Sequence, residues 1–140
     1  MSVGDVRAHY DGVYALLSSL FTGGPLPSPI GDSEQPETFP NVTLYAIPGG
    51  FTSGTLGDTD GDLEMPFQIT CVSRRRDQAQ LLQHAVRNEM LNQTLTVTGR
   101  SLLRVNLESP SGVERDDRLG EREGQVFYTA DTFHVRTAPA

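Results

Sequence analysis

Val6, Tyr10, Val13, Leu17 and Leu20 recur at steps of four, three, four and three, one face of a helix predicted over residues 3–20. Ser2 and Asp5 give it a start resembling a capping box, and Gly23-Gly24 a stop. Gly12 interrupts the stripe, so this helix has to lean on tertiary packing. The pattern is clearer between Arg76 and Leu91. There Ala79, Leu82, Val86 and Met90 form a stripe that Leu81 and Ala85 widen, with Ser73 as the expected N-cap. Elsewhere the period falls to two. Val42–Ile47 reads as one strand, and Phe67, Ile69 and Cys71 alternate with polar residues in a second. Leu103, Val105 and Leu107 mark a third, and Val126–Thr137 a fourth with Phe127, Phe133 and Val135 as inward anchors. Thr94–Thr98 reads as a short extended piece turning at Gly99.

The order α-β-β-α-β-β predicts an α+β domain spanning 1–140, with two helices packed on a mostly antiparallel four-stranded sheet and long loops. Three segments break the periodicity. Residues 22–40 hold Pro25, Pro27, Pro29, Pro36 and Pro40, which argues against any regular element there and leaves a loop or an arm that orders against another subunit. Residues 48–65 read as the long acidic tip of a hairpin. Glu114–Glu123 is a charged run expected as an exposed loop.

Composition narrows the functions available. All 11 cationic side chains are Arg, so no lysine chemistry is possible. The formal charge of −7 disfavours a reader of nucleic acid built on basic surface. Cys71 alone excludes an internal disulfide framework and a multi-cysteine zinc site, and it falls on the apolar side of its strand as an inert core residue. No apolar run has the roughly 18 residues of a membrane span, and the N-terminus lacks a signal-peptide layout, so a soluble protein made in a reducing compartment is expected. Charge is uneven. Residues 73–107 sum to +4, whereas 1–40, 41–72 and 108–140 sum to −4, −4 and −3. Opposite charges on one protomer suit self-assembly.

Candidate chemistry is sparse. Asp58, Asp60, Asp62 and Glu64 place acids at every second position, a pattern that can surround Ca²⁺ with oxygens. The spacing is not that of an EF-hand, since Gly61 is fourth and Ile69 twelfth from Asp58. A solvated acidic tip is the simpler reading. His9, His84 and His134 lie on separate elements at no ligand spacing, and no nucleophile–base–orienter set is visible, so no enzyme is expected. Arg74, Arg75 and Arg76 crowd a helix start, where the helix dipole disfavours cations, and Asp77 is expected to satisfy only part of one guanidinium fork. Carboxylates on a neighbouring chain would make that arrangement favourable.

Three stretches carry a family resemblance: SRRRDQAQLLQHAVRNEML (Ser73–Leu91), LTVTGRSLLRVNLESPSGVERDD (Leu95–Asp117) and VFYTADTFHVRTAPA (Val126–Ala140). The first resembles the Ser-Arg…Gln-Ala…Leu…Ala-Val-Arg segment of the tail terminator proteins of long non-contractile-tailed bacteriophages, and the other two follow in the same order. The resemblance covers roughly the C-terminal half and extends to the N-terminal half only in layout. It implies a homohexameric ring that caps the tail tube, ends its polymerisation and presents the surface joining tail to head. The implied partners are further copies of the chain, the major tail tube protein and head–tail connector or neck proteins. The implied place is the tail–neck junction of the virion, with no cofactor, catalytic residue or membrane. Arg74, Arg75, Arg76, Arg115, Asp116 and Asp117 are then candidates for the subunit interface. Asp58, Asp60, Asp62 and Glu64 are candidates for a loop facing the bore or the tube. Six copies at −7 carry −42, and a bore lined by that charge would let DNA pass without binding. A head-completion or connector subunit of the neck is the alternative of the same class, and a small Ca²⁺-binding module that of another.

Overall fold

The computed structural model describes residues 3–21, 30–32, 40–47, 51–53, 62–116 and 126–139. Helices α1 (Val3–Phe21) and α2 (Arg76–Leu91) lie where the periodicity puts them. The four expected strands are β2 (Asn41–Ala46), β4 (Asp62–Ser73), β5 (Arg100–Ser109) and β7 (Val126–Pro139). Three short strands join them: β1 (Ile30–Asp32), β3 (Phe51–Ser53) and β6 (Glu114–Asp116). The main path of the sheet is β1-β2-β4-β7-β5, with β3 paired to β4 and β6 to β7. Every pairing is antiparallel except β1 with β2. This is the expected α+β arrangement.

One sheet face makes the core. Leu63, Met65, Phe67, Ile69 and Cys71 of β4 stand opposite Thr137, Val135, Phe133, Asp131 and Thr129 of β7, and all ten are buried. Burial alternates from Asp62 to Cys71, as a sheet covered on one side requires, and only the last residues, Val72 and Ser73, are buried without alternation. Val13, Leu17 and Phe21 of α1 and Leu82, Val86 and Met90 of α2 complete the core on that face. The Tyr10 ring meets Phe67 at 6.3 Å between centroids.

Gly12 serves packing. A Cβ there would stand 2.4 Å from the carbonyl oxygen of Thr96, so α1 crosses the α2–β5 connection in backbone contact. That connection is no strand, yet Leu95 and Val97 are buried in it, and it turns into β5 at Gly99 with φ of +78°.

Several expectations need correction. Residues 22–40 do contain a regular element. β1 falls between Pro29 and Pro36, where the backbone keeps its N–H donors, and extends the sheet beyond β2. The 48–65 segment is not one loop, because β3 pairs with the start of β4, whose Leu63 and Met65 are buried opposite β7. Glu114–Asp116, expected in a loop, pairs with β7. Ser73 does not cap α2. It is the last residue of β4, its hydroxyl accepts from the Arg75 amide at 3.2 Å, and Arg75 occupies the cap position without a capping side-chain bond. Leu81 does not widen the buried stripe but is 51 % exposed, and its place is taken by Gln83. Leu103 is exposed where a register shift interrupts β5, and Phe127 is only half-buried.

Candidate functional site

β4 and β7 bring the sequence-predicted interface residues together. Ser73 pairs with Phe127, and Phe127 pairs on its other side with Arg115 of β6. Arg74–Arg76 and Arg115 therefore share one end of the sheet, though about 40 residues apart in sequence. The guanidinium of Arg76 lies 5.6 Å from the Phe127 ring centroid, a cation–π contact that closes this end of the core. Arg75 donates two bonds to Asp77, Nε to Oδ1 at 3.1 Å and an Nη to Oδ2 at 2.6 Å. The Arg75 hydrogen bond holds the Asp77 carboxyl below its ordinary range. Glu114 points the other way and accepts from the Tyr128 hydroxyl at 2.7 Å. Arg74, Arg75, Arg76 and Arg115 are all exposed. Only the backbone of Asp116 is described, and Asp117 lies outside the described residues.

Behind this basic end a buried polar cluster ties three segments together, and sequence reasoning missed it. Asp131, 2 % exposed on the core face of β7, accepts two bonds from Arg87 of α2, at 2.7 and 2.9 Å. It also accepts from Gln83 at 3.2 Å and from the Ser111 amide at 2.9 Å. The Ser111 carbonyl in turn accepts from Gln83 and Arg87, and its hydroxyl from the Ala130 amide. A buried carboxylate held by a bidentate guanidinium and further donors is a stable arrangement, and it keeps Arg87 protonated more firmly than usual. The signal was present. Arg87, Ser111 and Asp131 fall one in each of the three stretches that carry the family resemblance. Cys71 lies nearby, and burial pushes its thiol up to about 12, as an inert core residue requires.

The far end of β4, roughly 37 Å away along a 12-residue strand, carries the acids. Asp62 and Glu64 stand on the sheet face opposite the helices rather than on a loop tip. Asp62 pairs with Arg136 at 3.3 Å, and Glu64 with His134 Nδ1 at 2.7 Å. Glu108 closes on the other ring nitrogen of His134. Asp58 and Asp60 lie outside the described residues. The three histidines stay apart. His9 is buried against the Thr137 hydroxyl at 2.7 Å, His84 is exposed on α2, and His134 serves its two glutamates. Among the described residues no three His, Cys, Asp or Glu side chains are grouped to hold a metal ion.

No family model and no curated protein matches the sequence. Among solved structures, the chain is similar to one from the virion of a native gene transfer agent particle, with a TM-score of 0.66 at 15 % identity. The superposition covers 97 % of this chain and 98 % of that one. The fold is shared end to end. At this identity the likeness defines the architecture and leaves the role to be argued from it.

Proposed function

We propose that this chain is a structural subunit of a phage-type virion, and within it the tail terminator. Six copies form a ring on the head-proximal end of the tail tube, stop its growth and present the surface that meets the neck. The observation that carries this reading is the shared fold with a virion chain over nearly the full length of both. Three motifs in tail-terminator order, held together by Arg87, Ser111 and Asp131, support the finer assignment. The exposed arginines gathered at one end of the sheet, in a chain of net charge −7, suit a subunit that docks by opposite charges. The role is architectural. The polar side chains buried near α2 engage one another and position the fold rather than a reacting group.

Deletion of the gene tests the assignment. A terminator's loss yields tails that overrun their set length and fail to join filled heads. Loss of a head-completion subunit instead leaves tails of normal length beside heads that leak DNA, and that outcome would reject the terminator reading in favour of the neck.

A further inference from the structure

The outward side of α2 has a composition that packing of the core leaves unexplained. Gln80, Leu81, His84, Asn88 and Leu91 are exposed there. At about 100° per residue they fall within an arc of roughly 100°, so they form one stripe along the helix. Asp77, exposed in the first turn, falls in the same arc and is held by Arg75; beyond that turn none of the five is Asp, Glu or Arg, although 21 % of the chain is charged. Leu81 is 51 % and Leu91 39 % exposed, two of the three large apolar side chains that stand so far out among the described residues. An ordinary solvated helix face is dressed in charge. A stripe that carries no charge beyond its first turn, holding exposed leucines and rimmed at that end by Arg74, Arg75, Arg76 and Asp77, has the make-up of an interface core with a charged rim.

We infer that this stripe is where a second copy of the chain docks, the exposed leucines filling the centre of the contact and the arginines its edge. The occupant follows from charge. The stripe belongs to the segment that sums to +4, while the remaining segments sum to −4, −4 and −3, so another copy supplies an acidic surface to face the arginine rim. A helix face that meets a different surface of its neighbour makes a heterologous contact, the kind that closes into rings. The inference deepens the ring reading and rests on it for the geometry of closure.

Native mass spectrometry of the full chain tests it, comparing wild type with Leu81→Glu/Leu91→Glu and the milder Leu81→Ala/Leu91→Ala. Both leucines are exposed, so circular dichroism and melting of the subunit should be unchanged. The glutamate pair should raise the concentration at which the oligomer dissociates by roughly 100-fold, leaving mainly 15.3 kDa subunits, and the alanine pair by roughly tenfold. A glutamate variant that assembles like wild type overturns the inference. A wild type of another closed number, dissolved by the same pair, keeps this interface and removes the sixfold ring. A wild type that stays monomeric, with Leu81 and Leu91 protected from hydroxyl-radical labelling only after tail tubes are added, overturns the second copy and gives the stripe to the tube.

Discussion

Gly12 and Cys71 show what single side chains do in this core. Alanine is the better helix former by about 1 kcal/mol, yet Gly12→Ala should destabilise the chain, because its Cβ would meet backbone at 2.4 Å. Overpacking of this kind costs about 1–3 kcal/mol, measurable as a lower urea midpoint at constant slope. Cys71 should resist a thiol reagent at pH 8 in the native protein and react once per chain in denaturant. Its folded pKa of about 12 lies above the ordinary 9.0, so below pH 9 its contribution to stability is complete. That contribution is lost as pH rises from 9 towards 12, where the unfolded thiol ionises first. Cys71→Ala should flatten this alkaline decline in melting temperature. The apolar character of Cys71 was legible from alternation alone. The burial of His9 and Gln83 was not, since each depends on a partner, Thr137 or Asp131, that lies 128 or 48 residues away.

Among the elements, α2 was the most legible and its orientation the least. Period fixes that one face is buried. The rotation of that face is set by Gln83 and Arg87 reaching Asp131, which turns Leu81 outward. Arg87→Met should cost about 3–5 kcal/mol by leaving a carboxylate that is 2 % exposed without its counter-charge, a drop of roughly 10–17 °C in melting temperature. Arg87→Met/Asp131→Leu should recover much of that loss, because replacing both partners with apolar groups removes the unpaired charge. A double variant no more stable than Arg87→Met would contradict the view that the ion pair acts as a matched unit. The short strands were hidden for a related reason. β1 and β6 have three residues each and no periodicity to read, and they form because β2 and β7 offer backbone partners there. A three-residue strand is decided by its neighbour.

At the scale of the molecule, the sheet turns a scattered charge pattern into two ends. Arginines 74, 75, 76 and 115 gather at one, and Asp62 and Glu64 stand at the other among Arg136, His134 and Glu108. The uneven charge was readable in the sequence, but which charges stay available was not. Asp77 takes Arg75 and the Phe127 ring takes Arg76, so both side chains are held in place within the subunit. Replacing Arg74, Arg75 and Arg76 together by Gln should lower subunit melting only slightly, because exposed pairs contribute about 0–1 kcal/mol. It should weaken assembly most at low salt, where screening is least. Equal weakening at low and high salt would take electrostatics out of the contact.

The proposed assembly is a closed ring of six at the head-proximal tip of a tail. Imaging assembled particles and counting copies of this chain at the tail–neck junction tests it most directly. One ring of six subunits is expected, about 92 kDa from six chains of 15.3 kDa, seated on the last layer of the tube. A different number of copies, or a location away from that junction, would contradict it.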